Sequence, residues 1–84
     1  MLNVTLYTKP GCHLCDEARD IIEEVLEGFA DGVGLVEVDI TADPALQRAY
    51  GEEIPVVYVG ERRHSQWFVE EDRFRQRVQQ AVSA

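Results

Sequence analysis

Apolar residues recur along the chain with two different periods. Leu2, Val4 and Leu6 alternate with Asn3, Thr5 and Tyr7, the two-residue period of a strand. Lys9-Pro10-Gly11 interrupts that alternation. From Cys12 onward the spacing lengthens: Leu14, Cys15, Ala18, Ile21, Ile22, Val25, Leu26 and Phe29 recur every three or four residues. This predicts the buried face of a helix that ends near residues 28–32. Its other face (Asp16, Glu17, Arg19, Asp20, Glu23, Glu24, Glu27) is solvated. Residues 35–40 predict a second strand, with Val36, Val38 and Ile40 on one face. Two strands joined through a helix form a right-handed parallel βαβ unit.

The second half reads by the same rules. Asp43 and Pro44 predict a helix start, as N-cap and first helical residue, and that helix stops at Gly51. Residues 56–59 form a third strand. Gly60-Glu61-Arg62 turns the chain, and residues 63–69 return as a hairpin partner. Trp67 and Phe68 are neighbours on that fourth strand, so one should enter the core and the other face outward. A last helix over residues 71–82 buries Phe74, Val78 and Val82. The order β-α-β-α-β-β-α predicts an α/β fold with a four-stranded mixed sheet covered by helices.

A length of 84 residues suits one domain spanning residues 1–84, with a small core. Hydrophobic residues at 45% and charged residues at 29% exclude a disordered segment. The net charge of −8 repels phosphate backbones and anionic lipid headgroups, so nucleic acid and membranes are not expected partners. The charge is uneven. Arg62, Arg63, Arg73, Arg75 and Arg77 face only Glu61, Glu70, Glu71 and Asp72 in the last stretch, and they read as a solvated helix face. The first residues lack the basic and apolar regions of a targeting segment. No apolar run approaches the ~18 residues of a membrane span. A cytoplasmic monomer is the expectation.

The chemistry concentrates in Cys12-His13-Leu14-Cys15, which holds both cysteines. A reducing cytosol disfavours a permanent disulfide, and so short a loop would constrain the unfolded chain little. On a helix, residues three apart have Cα atoms about 5 Å apart. That lies inside the ~4.4–6.8 Å window of a disulfide, so the pair can open and close with little backbone movement. The two sulfurs differ. Cys12 stands at the helix start, where free N–H groups, the positive dipole end and Lys9 favour a thiolate. Cys15 continues into the apolar stripe. Cys12 is therefore read as the attacking thiol and Cys15 as the resolving one. Asp16 and Glu17 oppose the thiolate, and His13 supports it when protonated. The competing reading is a soft-metal module that holds a Cu(I)-type ion on the same two thiolates. A zinc site is disfavoured, because His13 lies between the cysteines and does not reach a shared tetrahedral site. His64, in the hairpin, reads as a surface residue.

Strand, loop, Cys-x-x-Cys and helix opening a βαβ unit form a thioredoxin-like pattern. The segment Tyr7-Thr8-Lys9-Pro10-Gly11-Cys12-His13-Leu14-Cys15-Asp16-Glu17-Ala18 closely resembles the active-site entry of the glutaredoxin-like family within the thioredoxin fold. Ile54-Pro55-Val56-Val57 is similar to the segment that carries that fold's cis-proline. The resemblance implies that Pro55 is cis and faces the cysteine pair. It also implies that the Ile54 backbone pairs with an extended substrate, with Lys9 and His13 beside it. The substrate would be a protein or small-thiol disulfide, with glutathione a candidate co-substrate and no resident cofactor. The chain departs from dithiol glutaredoxins at His13, where they carry proline, and at Glu53-Ile54, where they carry Thr-Val. The glycine pair before the last helix is also missing. These departures predict weak glutathione-dependent turnover. The expected potential of the pair is roughly −200 to −270 mV, the span of glutaredoxins and thioredoxin.

Overall fold

The computed structural model describes residues 2–29 and 32–83. The elements are β1 (Leu2–Thr8), α1 (His13–Glu27), β2 (Val33–Asp39), a 3-10 turn (Ile40–Ala42), α2 (Pro44–Tyr50), β3 (Val56–Val59), β4 (Arg62–Gln66) and α3 (Glu71–Ser83). The sheet has strand order β2-β1-β3-β4. β1 pairs parallel with β2, from Leu2 opposite Val33 to Thr8 opposite Asp39. β3 runs antiparallel to β1, with Val4 opposite Val59 and Leu6 opposite Val57. β4 closes the hairpin through Gly60, whose φ of 62° is the left-handed conformation that glycine adopts without strain. The α/β architecture and element order predicted above are the observed ones.

Alternation decides which residues meet. Val4 and Leu6 of β1 and Val57 and Val59 of β3 point to one face. They bury against Ala18, Ile22 and Val25 of α1 and Phe74 and Val78 of α3. On the other side, Tyr7, Tyr50 and Tyr58 pack ring on ring: Tyr7 stacks on Tyr50 at 4.5 Å, and Tyr58 meets both edge-on. A second, smaller cluster of Cys15, Ile40 and Ile54 joins this side, with Tyr7, Cys12, Leu46 and Tyr50 packed around it. Asp43 caps α2 by accepting the Ala45 N–H at 2.8 Å, with Pro44 at the helix start, and Gly51 ends it.

Several side chains sit elsewhere than the pattern predicts. Leu14 is 46% exposed, because the buried stripe of α1 runs through Cys15, Ala18, Ile22 and Val25 and leaves Leu14 one position off it. β2 begins at Val33, and it is Val33 and Leu35 that reach the core. Val36 lies exposed on the opposite face of this edge strand. Ile40 is buried, but from the 3-10 turn beyond the strand.

β4 stops at Gln66, three residues early, because Trp67 turns into a left-handed conformation with φ 70°. Trp67 and Phe68 therefore both stay exposed, at 48% and 67%, and Val69 is the residue that re-enters the core. Val82 is half exposed, and it is Ala81 in the last turn of α3 that packs against the core. His64 is half-buried rather than on the surface, with its ring 5.6 Å from that of Phe74.

Candidate active site

The cysteine pair is built by the junction of β1 and α1. Gly11, at φ 78°, bends the chain out of β1 in a conformation that a residue with a Cβ rarely adopts. No atom lies within 4 Å of where that Cβ would sit, so the requirement for glycine is conformational and not steric. Cys12 then takes extended backbone angles as the N-cap of α1. Its Sγ accepts the backbone N–H of Cys15 at 3.1 Å, and its carbonyl accepts the N–H of Asp16 at 3.2 Å. A cysteine thus stands where Ser, Thr or Asp would cap a helix, with one free N–H of the first turn aimed at sulfur. The same N–H stabilises a thiolate once the pair is reduced.

Cys12 and Cys15 are joined as a disulfide with Cα atoms 5.2 Å apart, as the helical spacing predicts. The two are unequal in access: Cys15 is fully buried and Cys12 partly exposed. Asp16 is not free to repel the thiolate at full strength. Its carboxylate binds the Arg19 guanidinium at 2.9 Å, and Arg19 also grips Glu37 of β2. The bond to Glu37, followed by the bond to Asp16, raises the pKa of Arg19. The pair of carboxylates therefore holds a permanent cation close to the start of α1.

The remaining residues singled out above distribute around this pair. Ile54, 8% exposed, packs in one cluster with Cys15. Pro55 is fully buried, and the Ile54–Pro55 bond is cis. His13 is the exposed first residue of α1, and Lys9 is exposed on the loop before it. Lys9 lines a cleft of about 240 Å3 with Thr8, Gly11, Asp16 and Asp39. Among the described residues neither Lys9 nor His13 makes a side-chain hydrogen bond or ion pair.

Sequence reasoning missed Trp67. Its indole Nε1–H donates to the Glu52 carbonyl at 3.0 Å, and its backbone N–H donates to the carbonyls of Glu53 (3.2 Å) and Pro55 (2.9 Å). One residue thereby holds three of the four carbonyls of residues 52–55. The Ile54 N–H and C=O, between them, take no part in any backbone hydrogen bond among the described residues. Nothing in a Gln-Trp-Phe string announces a left-handed tryptophan, so no signal in the sequence reveals this clamp.

The tyrosines were missed for a different reason. They lie at positions 7, 50 and 58, far apart in sequence, and only the sheet brings them together. The hydroxyls of Tyr50 and Tyr58 are 3.2 Å apart, and that bond, with burial, pushes the pKa of Tyr50 up to about 12. Arg63 lies 5.9 Å over the Tyr50 ring and is ion-paired with Glu53 at 2.8 Å. Among the described residues no group of three or more His, Cys, Asp or Glu side chains is placed to hold a metal. Nor is any helix there long and apolar enough to cross a membrane.

Comparison with known proteins agrees with this geometry. The glutaredoxin-like domain (DUF836) pattern matches residues 3–79. An uncharacterized protein of Mycobacterium tuberculosis is 32% identical over 75 residues, covering 86% of this chain and 77% of its own, and so is one from Mycobacterium bovis. A structural-genomics target protein from X. campestris superposes with a TM-score of 0.72 at 31% identity, over 92% of this chain and 96% of that one. Chloroplastic thioredoxin z gives a TM-score of 0.80 at 16% identity over 100% of this chain and 80% of its own, a likeness of fold. With Cys12 capping α1 beside a cis Ile54–Pro55 bond, on a sheet of thioredoxin topology, this chain belongs to the glutaredoxin-like domain family.

Proposed function

We propose that the protein is a thiol–disulfide oxidoreductase that reduces or exchanges protein or small-thiol disulfides through Cys12 and Cys15. The observation that carries this reading is the asymmetry of the pair. Cys12 is partly exposed at the helix start and holds an N–H bond to its sulfur, whereas Cys15 is fully buried 5.2 Å away.

The chemistry follows from that asymmetry. The Cys12 thiolate attacks one sulfur of the substrate disulfide. The substrate S–S bond breaks, and the leaving thiolate takes up a proton. Cys15 then loses its proton and attacks the Cys12 sulfur of the mixed disulfide, and the second substrate thiol departs. Two electrons pass to the substrate and the Cys12–Cys15 disulfide forms. Resetting it takes two electrons and two protons from an external thiol reductant, for which glutathione is a candidate.

Substrate positioning falls to the Ile54 backbone, whose N–H and C=O are free to pair with an extended chain carrying the target disulfide. Lys9 and His13, both exposed and close in sequence to Cys12, are the side chains assigned to the incoming substrate. The acidic net charge and the lack of a glycine pair before α3 disfavour tight binding of anionic glutathione. The test is reduction of a glutathionylated peptide by glutathione with this protein as catalyst. A measurable rate that requires Cys12, but falls well below that of a dithiol glutaredoxin, is expected. No Cys12-dependent rate with glutathione or with a dithiol reductant would contradict the assignment.

A further inference from the structure

A cleft of about 450 Å3 opens between β4 and the first turns of α3, lined by residues that take no part in the dithiol site, among them His64, Ser65, Phe68 and Arg73. A smaller cleft of about 120 Å3 shares His64 and Arg73 and adds Arg77. Three observations mark this groove. Ser65 Oγ is buried and has no hydrogen-bond partner among the described residues. A buried hydroxyl left unpaired costs ~1–3 kcal/mol, so an unused one calls for a partner.

The second observation is charge. Arg19, Arg63 and Arg75 each hold a carboxylate, but among the described residues Arg73 and Arg77 hold none. Two unpaired guanidinium groups beside a half-buried ring are notable in a chain of net charge −8. Glu70 also lines the cleft, but its carboxylate accepts the N–H groups of Asp72 and Arg73 and is committed to the start of α3. The third is Phe68, which offers a ring 67% exposed at the rim.

We propose that the groove between β4 and α3 binds a small phosphate ester, with its phosphoryl group between Arg73 and Arg77, the Ser65 hydroxyl donating to it, and the esterified group resting on Phe68. Guanidinium forks match phosphoryl oxygens, and the aromatic ring suits a planar or apolar substituent. The site is separate from the dithiol and does not depend on its activity.

His64 reports on occupancy. Burial, and then Arg77 and Arg73, lower its pKa. The charged groups around it are Arg73 and Arg77 from α3, Arg63 from β4, and Glu70 before α3. A phosphoryl dianion offsets the two α3 arginines, so bound ligand raises the His64 pKa. The experiment follows the His64 ring signals by NMR while inorganic phosphate, and separately adenosine monophosphate, is added at ionic strength held constant with chloride. His13, at the far site, is the internal control.

Saturable shifts confined to His64 and its neighbours are expected, with its titration midpoint moving upward. The double substitution Arg73→Gln and Arg77→Gln should weaken binding at least tenfold while far-UV circular dichroism stays unchanged. Ser65→Ala, a smaller change, should weaken it severalfold and serves if the double variant misfolds. Adenosine monophosphate should bind more tightly than phosphate, and Phe68→Ala should remove that difference. Shifts that rise linearly without saturation, an unmoved His64 midpoint, or saturable binding indifferent to both arginines would overturn the proposal. Equal affinity for the two probes would overturn the role given to Phe68.

Discussion

The two faces of the sheet are built for different work. The face covered by α1 and α3 is aliphatic and closed, with Val4, Leu6, Ile22, Val57, Phe74 and Val78 each at most 2% exposed. The face beside α2 is aromatic, partly open and holds the chemistry. There a core of only Cys15, Ile40 and Ile54 is surrounded by half-buried Tyr7, Tyr50 and Cys12. Stability and reactivity thus rest on different clusters, although α1 lends Ala18, Ile22 and Val25 to the first and Cys15 to the second. β1 feeds both, sending Val4 and Leu6 one way and Tyr7 the other. The lesson is that mutations on the two faces should fail in different currencies.

The largest expected effect is on chemistry. Cys12→Ser should abolish turnover while lowering stability by less than ~2 kcal/mol, since the closed loop is so short. A urea titration beside the activity assay checks both. A stability loss far above that bound would mean that the pair serves as a staple.

The closed face should show the reverse. Phe74→Ala removes a fully buried ring and should cost about 3–5 kcal/mol, a large part of the stability of a small domain. In the fraction that remains folded, Cys12 should still be alkylated faster than Cys15. A reversal of that order would show that the two faces are not independent.

A smaller effect concerns the open face alone. Tyr50 titrates near pH 12, chiefly because its hydroxyl is bonded to Tyr58. Its pKa is raised above the unfolded value, so the stability it contributes is complete below about pH 10 and is lost as pH rises toward about 12. Tyr58→Phe should bring the Tyr50 transition back toward the ordinary range, seen as alkaline difference absorbance of the phenolates. An unchanged high transition would place the cause in burial instead. Smallest of all is Arg19→Met, which leaves Asp16 unpaired beside Cys12. The change should slow alkylation of reduced Cys12 only slightly, because the ion pair is exposed, and a large slowing would show that Arg19 does more than hold Asp16.

What the sequence reveals, and what it hides, follows these same contacts. Local periodicity and capping chemistry were enough for β1, α1, the Asp43-Pro44 start of α2 and the position of Cys12 at the start of α1, because each is decided within a few residues. Residues 54–55 were found by resemblance, since a cis bond leaves no compositional trace. Trp67 was misread because its conformation is decided by carbonyls twelve to fifteen residues earlier, at Pro55, Glu53 and Glu52. A strand pattern carried Trp67 and Phe68 into the sheet, whereas those bonds end β4 at Gln66. His64 was placed on the surface because nothing local predicts its contact with Phe74 of α3.

The central claim is the order of attack at the dithiol, and one measurement addresses it most directly. Reduced wild-type protein and the Cys15→Ser variant are each mixed with an excess of a small aromatic disulfide, and the products are mapped by mass spectrometry. The account predicts a persistent adduct on Cys12 in the variant. In the wild type it predicts no lasting adduct, only the Cys12–Cys15 disulfide and two equivalents of released thiol. An adduct that forms first on Cys15, or a variant whose Cys12 does not react, would contradict it.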